Sequence, residues 1–187
     1  MAKCGVLSCN YSIFSSRIMH RRHFLRHGLG TALLLSGSGL SAMSAASLLP
    51  ADPFLAQSFP DLAGDAQALT QFSGKPLVLN FWATWCAPCV EEMPELDQLS
   101  TQFPHIGFLG LAVDTTRNVN KFLEKIPVQY PILVAGHGGV EHMRNLGNKK
   151  GGLPFTVIFN QKGRIEHRIL GQIQFDDLQA KLKTLGA

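Results

Sequence analysis

Hydrophobic and polar residues follow two different spacings along the chain, and each spacing predicts one type of element. Continuous apolar runs between turns predict buried strands. Apolar residues three or four positions apart, as at Val90, Met93 and Leu96, predict helices with one buried face. The predicted strands are 77–82, 106–114, 130–134, 155–159 and 164–170. The predicted helices are one that ends near residue 103, followed by 118–126, 140–146 and 175–185.

These elements follow one another in the order β-α-β-α-β-α-β-β-α. Strands that alternate with helices predict parallel pairing through right-handed crossovers. The last two strands are joined by a short turn at 160–163, which predicts an antiparallel hairpin. The segment 66–72 fits either a short edge strand or a turn of helix. The pattern therefore predicts an α/β domain with one mixed central sheet and helices on both of its faces.

Charge divides the chain near residue 46. Residues 1–46 hold five of the 17 Lys and Arg and none of the 13 Asp and Glu, which leaves 12 basic and 13 acidic residues in 47–187. The net charge of +4 therefore arises in the leader. Because the remainder is not basic, we predict no nucleic-acid binding.

The leader has the three parts of an export signal. The basic string at 20–26 contains Arg21-Arg22, the apolar stretch 28–40 follows, and small residues lead to Ala46. The string resembles a twin-arginine signal of bacteria. We predict a signal over 1–46, cleaved near Ala46, and one domain over 47–187; an uncleaved membrane anchor is the alternative. Residues 1–18, before Met19, are either an over-extended start or a long basic region.

Cys86 and Cys89 are the only cysteines after the leader. They follow a predicted strand and precede a predicted helix. The first turn of a helix has unpaired N–H groups and a positive dipole end, which lower the pKa of a thiol there. Two cysteines this close form a small, reducible loop. The pattern predicts a reversible dithiol/disulfide pair.

The chain from about residue 54 resembles exported thioredoxin-fold proteins of the TlpA/ResA type. The resemblance rests on the strings at 80–89 (NFWATWCAPC), 92–96 (EMPEL), 113–114 (VD), 152–156 (GLPFT) and 160–163 (NQKG). It implies a thioredoxin fold with an extra N-terminal hairpin or strand and a central insertion. It also implies that Pro154 is a cis-proline opposite the disulfide.

The resemblance and the residue chemistry assign the same roles to the two cysteines. Cys86 is the nucleophile that forms a mixed disulfide with substrate, and Cys89 resolves it. Pro154 is predicted to face the disulfide. The residues predicted to contact substrate are Trp85, Ala87, Pro88 and Leu153. The resemblance further implies that the preceding backbone at Leu153 pairs with a substrate strand. We expect Cys86 to expose its sulfur.

Two residues separate this chain from cytosolic thioredoxins. Asn80 stands where those proteins carry a buried acid, and an amide cannot shuttle a proton. Glu92, three residues after Cys89, is either a modulator of the thiol pKa or a solvated surface charge. Trp85 is either part of the surface around the nucleophile or a core aromatic. Trp82 is assigned to the core.

These residues and the resemblance together predict an exported thiol:disulfide oxidoreductase that reduces periplasmic protein disulfides. The resemblance implies that it serves cytochrome c maturation or metal-centre assembly and is re-reduced by a membrane electron donor. We expect a monomer that uses no cofactor and no metal and acts on protein disulfides. One other function is open, and a second is disfavoured by its motif. A Cu(I) metallochaperone would use both cysteines with His137, His142 or Met93. A peroxiredoxin-type peroxidase needs Thr-x-x-Cys, and Thr84 lies at the wrong spacing.

Overall fold

The computed structural model of the protein describes residues 50–185. The predicted export signal over 1–46 and its cleavage site lie outside the described residues. Within them, no helix is both long enough and apolar enough to cross a membrane.

The described strands are β1 (Ser58–Pro60), β2 (Ala66–Ala68), β3 (Leu77–Trp82), β4 (Gly107–Ala112), β5 (Ile132–Val134), β6 (Phe155–Phe159) and β7 (Ile165–Leu170). The helices are α1 (Ala87–Gln102), α2 (Thr116–Leu123), α3 (Gly139–Asn145) and α4 (Phe175–Leu185). A five-stranded sheet with the strand order β5-β4-β3-β6-β7 forms the centre of the domain. Within it, β3 pairs in parallel with β4 and antiparallel with β6.

The predicted element order and fold class are confirmed. The additional N-terminal hairpin is the antiparallel pair β1–β2, whereas the central insertion stays a prediction. The segment 66–72 combines both predicted alternatives, because β2 is followed directly by a 3-10 helix at Leu69–Phe72. The predicted helix 118–126 begins earlier, at Thr116, because the Thr115 side chain caps it by accepting a hydrogen bond from Asn118 N.

The sheet separates two apolar layers. Alternate side chains of β3 point to opposite faces, because successive residues of a strand alternate. Val78 and Trp82 pack with α1 and α4 in the first layer, whereas Leu79 and Phe81 pack in the second. Every residue of β3 is buried. Since each buried large apolar side chain contributes about 1.5–3 kcal/mol, this strand anchors the domain, and its carboxyl end is a rigid base for the residues that follow.

Asn80 lies between Val78 and Trp82 on the face that α1 covers, and it is buried. A polar side chain in an apolar layer needs hydrogen-bond partners. Its position therefore marks a polar centre inside the first layer.

Candidate active site

Cys86 is the residue at which the loop after β3 becomes helix α1. Its N–H donates to the carbonyl of Ala83, and its own carbonyl accepts from Val90 N, the first helical bond. Pro88 lies in the first turn, where the missing N–H costs nothing because helix N–H groups are unpaired there anyway. The local sequence thus places the Cys86 sulfur at the positive end of the α1 dipole, which favours its thiolate.

Cys86 and Cys89 form a disulfide in the structure, with Cα atoms 5.3 Å apart. Cys86 is only 7% exposed and Cys89 is fully buried. The expectation of an exposed Cys86 sulfur is therefore wrong for this oxidised form, because both cysteines pack into the first apolar layer. What the pair exposes to solvent therefore belongs to Cys86.

The residues around the disulfide are far more open than the disulfide itself. Trp85 is 69% exposed, and Ala87 and Pro88 are exposed as well. The alternative that Trp85 is a core aromatic is wrong, whereas Trp82 lies in the core as predicted. The open residues form an apolar rim beside the nucleophile; their contact with substrate stays a prediction.

Glu92 is fully buried one helical turn after Cys89. Its Oε1 accepts a hydrogen bond from Asn80 Nδ2 at 2.7 Å, and its Oε2 accepts one from Ile173 N at 2.8 Å. Burial disfavours the charged form and raises the pKa of Glu92 to about 7, although both hydrogen bonds act in the opposite direction. The solvated-surface alternative for Glu92 is therefore wrong. A carboxyl group that titrates near neutrality lies behind the cysteines.

Asn80 connects Glu92 to β6. Its Nδ2 donates both to Glu92 and, at 3.0 Å, to Thr156 Oγ1. The amide of Asn80 therefore supports the helix acid Glu92 from the neighbouring strand β3. Thr156 is buried too and was not singled out as a site residue by the sequence, because only the register that pairs Asn80 with Thr156 brings it here.

Pro154 follows a cis peptide bond from Leu153. Because Phe155 pairs with Phe81 in an antiparallel register, Pro154 lies at the end of the sheet where β3 leads to Cys86. This agrees with the predicted cis-proline and excludes an ordinary trans turn proline. Leu153 is half-buried and lies two residues before Phe155, the first residue of β6.

A buried asparagine shapes the loop before the cis-proline. Asn148 Nδ2 donates to the carbonyl of Gly152 at 2.7 Å, and Asn148 Oδ1 accepts from Gly151 N at 3.0 Å. On the other side, Gly171 N donates to the Pro154 carbonyl at 2.9 Å. Sequence reasoning missed Asn148; its signal was an asparagine three residues before a glycine pair, which favours a side-chain-stabilised turn.

Asp114 holds the loop that precedes Cys86. It accepts hydrogen bonds from both the backbone N and the Oγ1 of Thr84, and from Asn118 Nδ2. Burial alone raises the pKa of Asp114, but the hydrogen bonds from Thr84, Asn118 and Thr115 outweigh it and lower the pKa overall. Sequence reasoning quoted Asp114 only as part of a matching string and gave it no role.

The proposed copper ligands are spread over the domain. Within residues 50–185, no group of three or more His, Cys, Asp or Glu residues could hold a metal ion. His142 packs edge-on against Phe54 and Phe59, which belong to the second apolar layer, whereas the cysteines belong to the first. His137 is exposed on a 3-10 turn and Met93 lies in the core.

Comparisons with known proteins agree with this geometry. Residues 50–168 match the AhpC/TSA family. The chain is 32% identical to thiol-disulfide oxidoreductase ResA of Geobacillus thermodenitrificans, over 67% of this chain and 71% of that protein. Its structure resembles a thioredoxin-related protein of Neisseria meningitidis (TM-score 0.61, 31% identity, 68% and 98% of the two chains). It also resembles a thiol:disulfide interchange protein of Chlorobium tepidum, with a TM-score of 0.62 and 25% identity over 74% of this chain and 100% of that protein's chain.

The matched region contains β3, the cysteine pair, α1 and the cis-proline, so sequence similarity and site geometry indicate the same chemistry. The chain therefore belongs to the AhpC/TSA family and is a thiol-disulfide oxidoreductase of the ResA type.

Proposed function

We propose that this oxidoreductase is exported to the periplasm and reduces disulfides of other proteins there. One observation supports the dithiol chemistry. The Cys86–Cys89 pair lies at the start of α1, with the cis-proline at the same end of the sheet and a buried carboxyl of near-neutral pKa behind it. This arrangement supplies an activated thiol and a local proton acceptor.

The reaction begins with both cysteines reduced. The Cys86 thiolate attacks one sulfur of a substrate disulfide, the substrate S–S bond breaks, and a mixed disulfide with Cys86 forms while the other substrate sulfur leaves. Cys89 then attacks the Cys86 sulfur, which breaks the mixed disulfide and forms Cys86–Cys89. Two electrons pass from the dithiol to the substrate, whose two sulfurs become thiols.

Glu92 is the proton acceptor for Cys89 in this proposal. Cys89 is fully buried, so water does not readily take its proton, and residues three apart on a helix are neighbours. With a pKa near 7, Glu92 can hold the proton at neutral pH without a large energetic penalty.

Substrate is held by the exposed rim and the cis-proline loop. Trp85, Ala87 and Pro88 offer apolar contact beside Cys86, and the backbone at Leu153 pairs with an extended substrate segment. Pro154 keeps a metal ion away from the thiols because the proline ring supplies no side-chain ligand to a metal at that position.

Export rests on the leader, with its Arg21-Arg22 pair and the small residues near Ala46. A periplasmic dithiol needs a membrane electron donor to be re-reduced, and cytochrome c maturation or metal-centre assembly would provide its disulfide substrates. Replacement of both arginines by lysine is expected to retain the protein in the cytoplasm, whereas unchanged periplasmic recovery in cell fractions would contradict twin-arginine export.

Trapping tests the function directly. In cells, Cys89→Ser is expected to accumulate mixed disulfides between Cys86 and its substrates, visible as reductant-sensitive bands, while Cys86→Ser accumulates none. Equal activity of both variants would refute the dithiol mechanism. The Cu(I) metallochaperone is distinguished by copper titration of the reduced protein, where tight 1:1 binding that a His137 or His142 substitution abolishes would support it instead.

A further inference from the structure

An open cavity of about 510 Å³ lies beside the cis-proline loop. Leu153, which directly precedes Pro154, forms part of its wall, and so does Gly171, whose N–H is bonded to the Pro154 carbonyl. The cavity therefore adjoins the backbone on both sides of the cis-proline. Its other principal lining residues are Lys149, Lys150, Gly152 and Leu170.

The floor of this cavity offers apolar surface to solvent. Leu170 is 67% exposed at the last position of β7, an edge strand of the sheet. Among the described residues, Leu170 and Trp85 are the two large hydrophobic side chains that are strongly exposed. Exposed apolar surface next to a functional site is typical of a contact surface.

The rim of the cavity is basic. Lys149 and Lys150 are both exposed, and the Arg168 Nε donates to the Leu146 carbonyl at 2.6 Å, which holds that guanidinium against the cavity wall at Gly147. Within the described part of the chain, the lining includes no carboxylate. Glu141 and Glu166 lie on the neighbouring elements α3 and β7, and Glu166 accepts a hydrogen bond from Asn160.

We propose that this cavity selects the substrate: it binds the extended polypeptide segment that flanks the target disulfide and favours one with acidic side chains next to an apolar residue. The apolar residue contacts Leu170 and Leu153, and the acidic side chains pair with Lys149 and Lys150. This inference rests on the proposed function, since it assumes that a protein disulfide approaches Cys86. Such charge complementarity acts mainly on the encounter rate and on the choice of partner.

The test uses the reduced full-length protein and three disulfides. Two are short synthetic peptides, each closed by one disulfide and identical except that the flanking sequence is Asp-Leu-Asp in one and Lys-Leu-Lys in the other. The third is bis(2-hydroxyethyl) disulfide, which is small and uncharged. Stopped-flow tryptophan fluorescence follows the oxidation of the protein.

At low ionic strength we expect the acidic peptide to be reduced about fivefold faster than the basic one. The preference falls toward equality at high salt, because exposed charges are screened. The double variant K149E/K150E is expected to reverse the preference. Leu170→Ser is expected to lower the rate at which the acidic peptide is reduced. The control Lys162→Glu, in the turn at the opposite end of the β6–β7 hairpin, keeps the wild-type ratio.

The outcomes separate the two proposals. If the wild-type protein reduces none of the three disulfides, the proposed function fails. If it reduces all three, but both peptides at one rate that K149E/K150E does not change, the cavity proposal is overturned and the function stands. Equal peptide rates together with lysine-dependent sedimentation on phosphatidylglycerol vesicles would overturn it in favour of a membrane surface.

Discussion

The side-chain amide of Asn80 donates a 2.7 Å hydrogen bond to the Glu92 carboxyl group inside the apolar layer beneath the disulfide. An amide carries both a donor and an acceptor, so Asn80 can pair with either protonation state of Glu92. An acid at position 80 would repel Glu92 whenever both groups are ionised. The chain therefore combines one titratable carboxyl with one neutral, adaptable partner.

Glu92 is expected to make the stability of the oxidised protein depend on pH. Its pKa is about 7 in the folded protein, above the ordinary value of 4.5, so the folded state binds more protons than the unfolded state between these values. The contribution of Glu92 to the free energy of unfolding is then largest below pH 4.5 and decreases as pH rises through 7, by up to about 3 kcal/mol. Denaturant titrations at a series of pH values from below 4.5 to above 7 measure this change in the free energy of unfolding.

The matched variants are Glu92→Gln and Glu91→Gln. Glu92→Gln is expected to remove this part of the pH dependence, whereas Glu91→Gln, two residues after Cys89 but exposed, is expected to retain it. If the free energy of unfolding changes with pH as steeply in Glu92→Gln as in the wild-type protein, the pH dependence comes from another titrating group.

Asn80→Leu is expected to raise the pKa of Glu92 above 7, because the hydrogen bond from Asn80 stabilises the ionised form. A carboxyl that stays protonated at neutral pH no longer accepts the Cys89 proton, so resolution of the mixed disulfide slows. Carbon-13 NMR of the Glu92 carboxyl follows the titration. Thr156→Val is the control, since it removes the other partner of Asn80 and leaves the bond to Glu92; a pKa that moves equally in both variants would contradict the direct effect.

The sequence predicted the helix spacing that brings Glu92 near Cys89, because that relation is local. It did not predict the environment of Glu92, since Ile173 and Thr156 come from elements far along the chain and meet α1 and β3 only in the folded sheet. The burial of Cys86 was missed for the same reason. Motif and spacing identify the reacting residues, whereas tertiary packing decides their solvation and hence the pKa of the acid.

Asp114→Ala is expected to loosen the loop that carries Trp85 to Cys86. The substitution leaves the part-buried N–H and hydroxyl of Thr84 without their acceptor, which costs about 1 kcal/mol of stability. The rate with bis(2-hydroxyethyl) disulfide is expected to fall as well, since the Cys86 approach is no longer fixed. Thr84→Val separates the two effects, because it removes only the side-chain bond and keeps the backbone bond. A rate that falls no further with Asp114→Ala than with Thr84→Val would show that the backbone bond does not position Cys86.

Asn148→Ala is expected to disturb the cis-proline loop from a position that no sequence motif identified. The alanine removes the donor to the Gly152 carbonyl and the acceptor for Gly151 N, so the loop that positions Leu153 loses its support. We expect a lower free energy of unfolding by about 1–3 kcal/mol and a higher KM for a peptide disulfide with little change in kcat. Asn148→Asp keeps the acceptor and loses the donor, so its KM is expected to lie between those of Asn148→Ala and the wild-type protein. If kcat falls instead while KM is unchanged, Asn148 acts on the reacting sulfurs and not on the surface that binds the substrate strand.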